Sequence, residues 1–251
     1  MIILDKISTK APKEADKKKF KKETEKYIAR MIELQNILYA QSKYSLLIIA
    51  QGLDAAGKDG LIKGVFSGMN PSGCRVHSFK VPTAEEAAHD FLWRVHAQTP
   101  PKGFVQIFNR SHYEDVLSPK VNGLISKSDC QRRYEHINSF EKLLIENNTV
   151  ILKFYLHISH KEQLKRLDER LSDPAKSWKY SNSDITVSAQ WDSYMKAYED
   201  IFKHCNSSAG WHIVPSDHNW YKDYYVAKTI VEAMEALDLK YPKHAIVQTA
   251  K

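Results

Sequence analysis

Ser45-Leu-Leu-Ile-Ile-Ala-Gln51, followed at once by Gly52-Leu-Asp-Ala-Ala-Gly57-Lys58, is the stretch on which the fold turns. Its first half is an apolar run of strand length, the kind buried on both faces of a parallel sheet. Its second half fits GxxxxGK, and a helix over residues 61–67 comes next. In loops of this pattern successive backbone N–H groups, here of Ala55, Ala56, Gly57, Lys58, Asp59 and Gly60, surround phosphate oxygens, and the following helix N-terminus adds positive potential. Lys58 reaches the outer phosphates as a point charge. The residue after the lysine is Asp59, where a Ser or Thr hydroxyl usually binds Mg²⁺. Asp54 adds a carboxylate that phosphate would repel unless a cation lay between them. Mg²⁺ takes one or two carboxylates together with phosphates and waters, so Asp54 is the leading metal ligand. Asp59 is read either as part of that site or as a first-turn acid facing the helix dipole.

Around this loop, strands and helices alternate. Residues 16–41 place Phe20, Tyr27, Met31, Leu34 and Leu38 at helical spacing with a basic outer face, after a loose arm over residues 1–15. Strands are expected at 45–51, 74–80, 104–108, 149–157 and 211–215. Helices are expected at 83–96, 129–146, 159–171, 183–205 and 221–237. The core face of the first of these is Ala84, Ala87, Ala88, Phe91, Leu92 and Val95. Five short strands alternating with helices predict one α/β domain, residues 1–251, with a mostly parallel sheet.

Composition narrows the class. With 251 residues, 43% hydrophobic and 27% charged, a disordered chain is excluded. The formal charge is +7, and residues 1–30 hold ten bases against five acids, so most of the surplus lies there. A polyanionic partner suits such a balance. Three widely spaced cysteines without a CxxC pair point away from disulfides and zinc and towards a reducing cytoplasm. The apolar start, Met1-Ile-Ile-Leu4, is too short for a signal-peptide core, and no apolar run is long enough to span a membrane. There is no GxSxG elbow. His157 and His160 lack a third ligand at metal spacing, and Trp191, Tyr194 and Tyr198 read as a packing stripe.

Two further clusters carry chemistry. The third strand ends in Asn109-Arg110-Ser111-His112-Tyr113-Glu114-Asp115, and groups just beyond strand carboxyl ends line the ligand crevice of an open α/β sheet. Arg110 is placed to face phosphates, with Glu114 or Asp115 near the metal or the acceptor. The competing structural reading makes Tyr113 a packing residue and Asp115 a cap. Between two helices, Arg170-Leu-Ser-Asp173-Pro174-Ala-Lys176-Ser-Trp178-Lys179 reads as a basic lid over about residues 160–190, or as an ordinary basic loop.

Together these motifs, with His89-Asp-Phe-Leu-Trp-Arg94, Trp191-Asp-x-Tyr194 and Gly210-Trp-His-Ile-Val-Pro-Ser-Asp-His-Asn-Trp220, resemble the polyphosphate kinase 2 family over about residues 17 to 239. The resemblance implies a P-loop kinase-like three-layer α/β/α fold with a central five-stranded parallel sheet and a helical lid. It implies Mg²⁺, or Mn²⁺ in its place, and a homodimer or homotetramer. The reaction implied is transfer of a terminal phosphoryl group from inorganic polyphosphate to AMP and ADP, giving ADP and ATP. Catalysis would rest on Asp54, Lys58, Arg110 and Glu114, and lid contacts on Arg170, Lys176 and Lys179. Metal binding would rest on Asp54, with Glu114 and Asp115 as further candidates. Many members carry Asp before the arginine of the second motif and Asn after its tyrosine. Asn109 and Glu114 stand there in this chain, a pattern like the class III branch that uses both AMP and ADP. The alternatives are an ATP-dependent nucleoside monophosphate kinase and a nucleic-acid-binding P-loop module, the latter disfavoured because the bases near the loop sit beside acids.

Overall fold

β1 (Ser45–Gln51) is buried at every position because both of its faces are covered. The computed structural model describes residues 2–178 and 182–243. β1 is the middle strand of a five-stranded sheet with β2 (Cys74–Ser78), β3 (Val105–Asn109), β4 (Thr149–His157) and β5 (Trp211–Pro215) in the order β2-β3-β1-β4-β5, every pair parallel. Parallel neighbours need crossovers, and helices supply them. In chain order the helices are α1 (Lys17–Gln41), which precedes the sheet, α2 (Lys58–Phe66), α3 (Ala84–Ala88), α4 (Trp93–His96), α5 (Glu114–Val121), α6 (Lys127–Glu146), α7 (His160–Ser172), α8 (Pro174–Ser177), α9 (Asn182–Ala189) and α10 (Trp191–His204), which lie between strands, and α11 (Asn219–Glu235), which follows the last.

Alternation along β1 sorts the core. Leu47 and Ile49 pack with Val116, Ile137, Phe140 and Tyr198 from α5, α6 and α10. Leu46, Ile48 and Ala50 pack with Met31, Leu34, Leu61, Ile230 and Val231 from α1, α2 and α11. The three-layer α/β/α arrangement follows from this period of two.

Three expected elements differ. The helix expected over 83–96 is two short pieces. Thr83 and Glu86 form a capping box that starts α3, and the chain turns extended at His89. The Asp90 side chain then accepts from Leu92 N at 2.9 Å, a local bond that competes with helix. Of the six expected core residues only Val95 is buried. The helix expected over 183–205 is likewise broken at Gln190, between α9 and α10. The loose arm is corrected most. Leu4 is 1% exposed in the core, its N–H donates to Glu199 Oε1 at 2.8 Å, and Thr9 Oγ1 donates to Asp217 Oδ2 at 2.8 Å.

Beneath the second motif lies a fully buried ion pair. Lys153, in the middle of β4, donates to Glu141 Oε2 at 2.7 Å, Tyr113 Oη at 3.0 Å and the Cys205 carbonyl at 2.9 Å, which uses all three of its protons. Tyr113 Oη donates to Glu141 Oε1 at 2.6 Å. Burial pushes the Glu141 carboxyl up, but His112 and Lys153 outweigh it and hold it below its ordinary value. Lys153→Met would leave Glu141 buried without its cation and should cost about 3–5 kcal/mol of unfolding free energy in urea titrations. The double variant Lys153→Met/Glu141→Leu should recover part of that loss.

Candidate active site

The chain leaves β1 towards β2 on one side and crosses back over it from β3 to β4, which opens a crevice at the strand carboxyl ends. Residues 52–57 turn through it. Ala55 has φ +63° and Gly57 φ +99°, both left-handed. A Cβ on Gly57 would also meet Lys222 Nζ at 2.9 Å, so this position needs glycine twice over.

Every carbonyl from Gly52 to Gly57 accepts a hydrogen bond from a side chain. Lys58 Nζ donates to Gly52 O at 2.6 Å and Leu53 O at 3.1 Å. Gln163 Nε2 donates to Asp54 O at 3.1 Å. Arg166 Nη1 donates to Ala55 O at 3.1 Å and Ala56 O at 3.4 Å, and Lys222 Nζ to Gly57 O at 3.2 Å. Arg166 Nη2 continues to Ser216 O and Asp217 O, at 2.8 and 3.0 Å, tying the loop to the β5–α11 connection. With its carbonyls held outward, the loop keeps N–H groups to offer an anion, except that of Ala56, expected among the phosphate donors, which donates instead to Leu53 O at 3.1 Å and closes the turn. Burial, reinforced by Arg110, pushes Lys58 down to about 8, from an ordinary value of 10.5. Burial also lowers Lys222, against the pull of Asp223.

The second motif meets this loop directly. Arg110 sits at φ +62°, its N–H bonded to Ala50 O at 3.0 Å at the end of β1. Its guanidinium donates to Asp54 Oδ1 at 2.5 Å and lies 4.0 Å from Glu114 Oε2. Burial raises the Glu114 carboxyl, outweighing Arg110 and Lys58. Asn109 Nδ2 donates to Asp59 Oδ1 at 2.9 Å, so the asparagine of the second motif pairs with the acid in the serine position of the first. A carboxylate at 109 would face Asp59 with like charge.

Asp54, Lys58, Arg110 and Glu114 are therefore gathered as expected, and Asp59 joins their edge. Asp115 is not. Both of its carboxylate oxygens are taken by Arg94 Nη2, at 3.3 and 3.0 Å, in a buried pair that ties α5 to α4. The expectation of Asp115 as a metal ligand gives way to a structural role, one shared by the Arg94 that ends the His89–Arg94 motif. Tyr113 packs, as its competing reading has it. Arg170 lies half-buried in the last turn of α7, Lys176 falls within α8, and Lys179 lies outside the described residues. Trp178 is three-quarters exposed. For a divalent cation the donor set fits. Among the described residues the bonds to Asp54 engage one carboxylate oxygen only, and Glu114 stands on the other side of Arg110.

Gln163, Arg166 and Lys222, which hold the loop carbonyls, are side chains that no motif marked. The signal for two of them was periodic: 163, 166 and 170 follow i, i+3, i+7 on α7, so Gln163 and Arg166 share a face with the expected lid arginine. Lys222 carried no signal, because only the packing of α11 against α2 brings it to Gly57.

The family model described as polyphosphate kinase 2 matches residues 14–242. The chain belongs to the polyphosphate kinase 2 family. Among its relatives, an AMP/ADP-polyphosphate phosphotransferase of Meiothermus ruber is 47% identical over 215 residues, covering 85% of this chain and 80% of that protein. An ADP-polyphosphate phosphotransferase of Rhodopseudomonas palustris is 41% identical over 229 residues, covering 86% of this chain and 79% of the relative. The crystal structure of polyphosphate kinase 2 from Arthrobacter aurescens TC1 superposes with a TM-score of 0.94 at 40% identity, over 97% of this chain and 88% of that one.

As a member of this family the chain should show the cradle in its kinetics. Arg166→Met and Lys222→Met, which release loop carbonyls without touching the Asp54–Arg110 pair, should each lower kcat/KM for phosphoryl transfer by about a hundredfold, the scale of a misplacement near 1 Å. Arg166→Lys, which keeps the charge and one donor atom in place of the fork, should lose less. Steady-state assays alongside urea unfolding check this. Asp115→Asn should move stability and leave turnover little changed.

Proposed function

We propose that this protein transfers the terminal phosphoryl group of inorganic polyphosphate to AMP and ADP, giving ADP and ATP, reversibly at the diphosphate step. The observation that carries the reading is the Asp54–Arg110 contact, which joins a phosphate loop to the second-motif arginine at the mouth of the crevice. The relative named for both AMP and ADP supports the two-acceptor form.

The acceptor needs little activation. A phosphate monoester has its second pKa at about 6 and is already largely a dianion at neutral pH. The difficulty is to hold two polyanions in line against their repulsion. The loop N–H groups and Lys58 bind one, and Arg110 lies between the acids Asp54 and Glu114 to meet the group in transfer. Asp54 and Glu114 would hold a divalent cation, Mg²⁺ by preference, which supplies charge neutralisation on the phosphate oxygens. Arg170, with Lys176 and Lys179 of the basic segment, would contact polyphosphate from the lid, where closure excludes water and strengthens each charge contact. A cytoplasmic homodimer or homotetramer completes the reading.

Supplying ADP or AMP with polyphosphate and no nucleotide donor should yield ATP, read by luciferase. Lys58→Ala should reduce that yield by orders of magnitude with the fold intact by circular dichroism. Near-normal turnover in Lys58→Ala would sink the assignment, and silence without added ATP would favour a nucleoside monophosphate kinase. Because the Lys58 amine is pushed down to about 8, kcat/KM for polyphosphate should fall as pH rises through that value and the charge is lost. In Lys58→Arg, whose guanidinium stays charged, the residual activity should lack this alkaline limb.

A further inference from the structure

The surplus positive charge sits at the crevice end of the molecule. Residues 10–22 contain Lys10, Lys13, Lys17, Lys18, Lys19, Lys21 and Lys22 against Glu14 and Asp16. All seven lysines are exposed, and among the described residues no ion pair involves any of them. The segment is nevertheless held in place. Thr9 bonds Asp217, Ala11 N donates to His218 Nδ1 at 3.3 Å, and Phe20 packs edge-on against Tyr224 with centroids 4.4 Å apart and meets Trp220 and Tyr221. Its anchors are the β5–α11 connection and the first turns of α11. Those same elements reach the phosphate loop, through the Arg166 bond to Asp217 O and the Lys222 bond to Gly57 O.

The first two turns of α1 thus lie about 10 Å, one helix spacing, outside α11, at the end where the loop opens. Side chains on a helix lean towards its N-terminus, so these lysines lean towards that end. Their position is electrostatically unfavourable for the helix itself. Three consecutive lysines follow the Asp16 cap, no acid occupies the first turn, and the positive end of the helix dipole disfavours cations there. Folding alone gives no reason to keep them, whereas a polyanion passing the rim does.

We propose that the basic rim formed by residues 10–22 is a binding surface for the part of a polyphosphate chain that extends beyond the crevice. This rests on the reading of polyphosphate as substrate. A short chain that fills the loop and the Arg110 site ends before the rim, so only long chains feel it. The rim acts on capture and residence, not on the transfer step.

The test is equilibrium binding by titration calorimetry, without nucleotide, so that it reads out even if the transfer assay fails. Lys17→Gln/Lys18→Gln is compared with Lys43→Gln/Lys102→Gln, which removes equal charge just before β1 and β3, at the opposite end of the sheet. The first pair should weaken long-chain polyphosphate about three- to tenfold at low salt, flatten its salt dependence, and leave tripolyphosphate affinity unchanged. Its thermal midpoint should stay level or rise, because the dipole penalty is removed. In turnover, KM for long chains should rise with kcat unchanged. Equal weakening by the control pair would reduce the effect to net charge, and equal weakening of tripolyphosphate would place these lysines elsewhere. Either result, or unchanged long-chain binding, overturns the proposal. Normal binding differences with no ATP formed would instead count against the proposed reaction and leave the rim standing.

Discussion

A loop can aim its N–H groups at phosphate only if its carbonyls have somewhere else to go. Here each carbonyl from Gly52 to Gly57 is held by a side chain, and the holders come from three places: Lys58 of the loop's own helix, Gln163 and Arg166 of α7, and Lys222 of α11. Buried carbonyls require partners in any case. Meeting most of that requirement with cations, Gln163 being the neutral exception, keeps the outer shell of the loop positive as well, so the same bonds that set the backbone also set the local potential. The cost is visible in the lowered affinity of Lys58 and Lys222 for their protons, both dominated by burial.

The second motif depends on a firm floor. Arg110 occupies a left-handed backbone conformation that non-glycine residues avoid, and such strain persists where the surroundings over-determine it. Those surroundings are its bond to the end of β1, the buried Lys153–Glu141–Tyr113 network below it, and the Arg94–Asp115 pair beside it. A guanidinium placed on so rigid a loop loses little further freedom when it meets a phosphoryl group. Its two carboxylate neighbours, Asp54 and Glu114, temper its charge.

Charge is thus used in two registers. Inside the crevice, Lys58 and Lys222 are buried and Arg110 is paired with Asp54, each bonded to individual oxygens of the protein. Along residues 10–22 the lysines are exposed and, among the described residues, in no ion pair, so they contribute a field that salt can screen. The chain connects the two, because the connection from β5 to α11 is tied through Arg166 to the phosphate loop on one side and bonds the N-terminal segment on the other.

Much of this was legible in one dimension. The strands over 45–51, 149–157 and 211–215, the GxxxxGK loop, and the gathering of Asp54, Lys58, Arg110 and Glu114 at one crevice follow from local pattern, since a buried strand and the loop and turn at a strand end are each written in consecutive residues. The break of the 83–96 helix at His89 and Asp90 was hidden, because a side-chain bond to a nearby N–H competes with helix without disturbing its apolar spacing. Asp115 looked like its neighbour Glu114 and was separated from it only by the reach of Arg94. Arg166 and Lys222 belong to no motif, and the N-terminal arm reads as loose; the packing of α7, α11 and residues 4–20 gives each its partners. The sequence by itself determined the phosphate loop, the alternation that makes the three layers, and the family. Tertiary structure decided which charges are partners, because contacts such as Arg166 to Ala55 span 111 residues and exist only once the sheet has brought its carboxyl ends together.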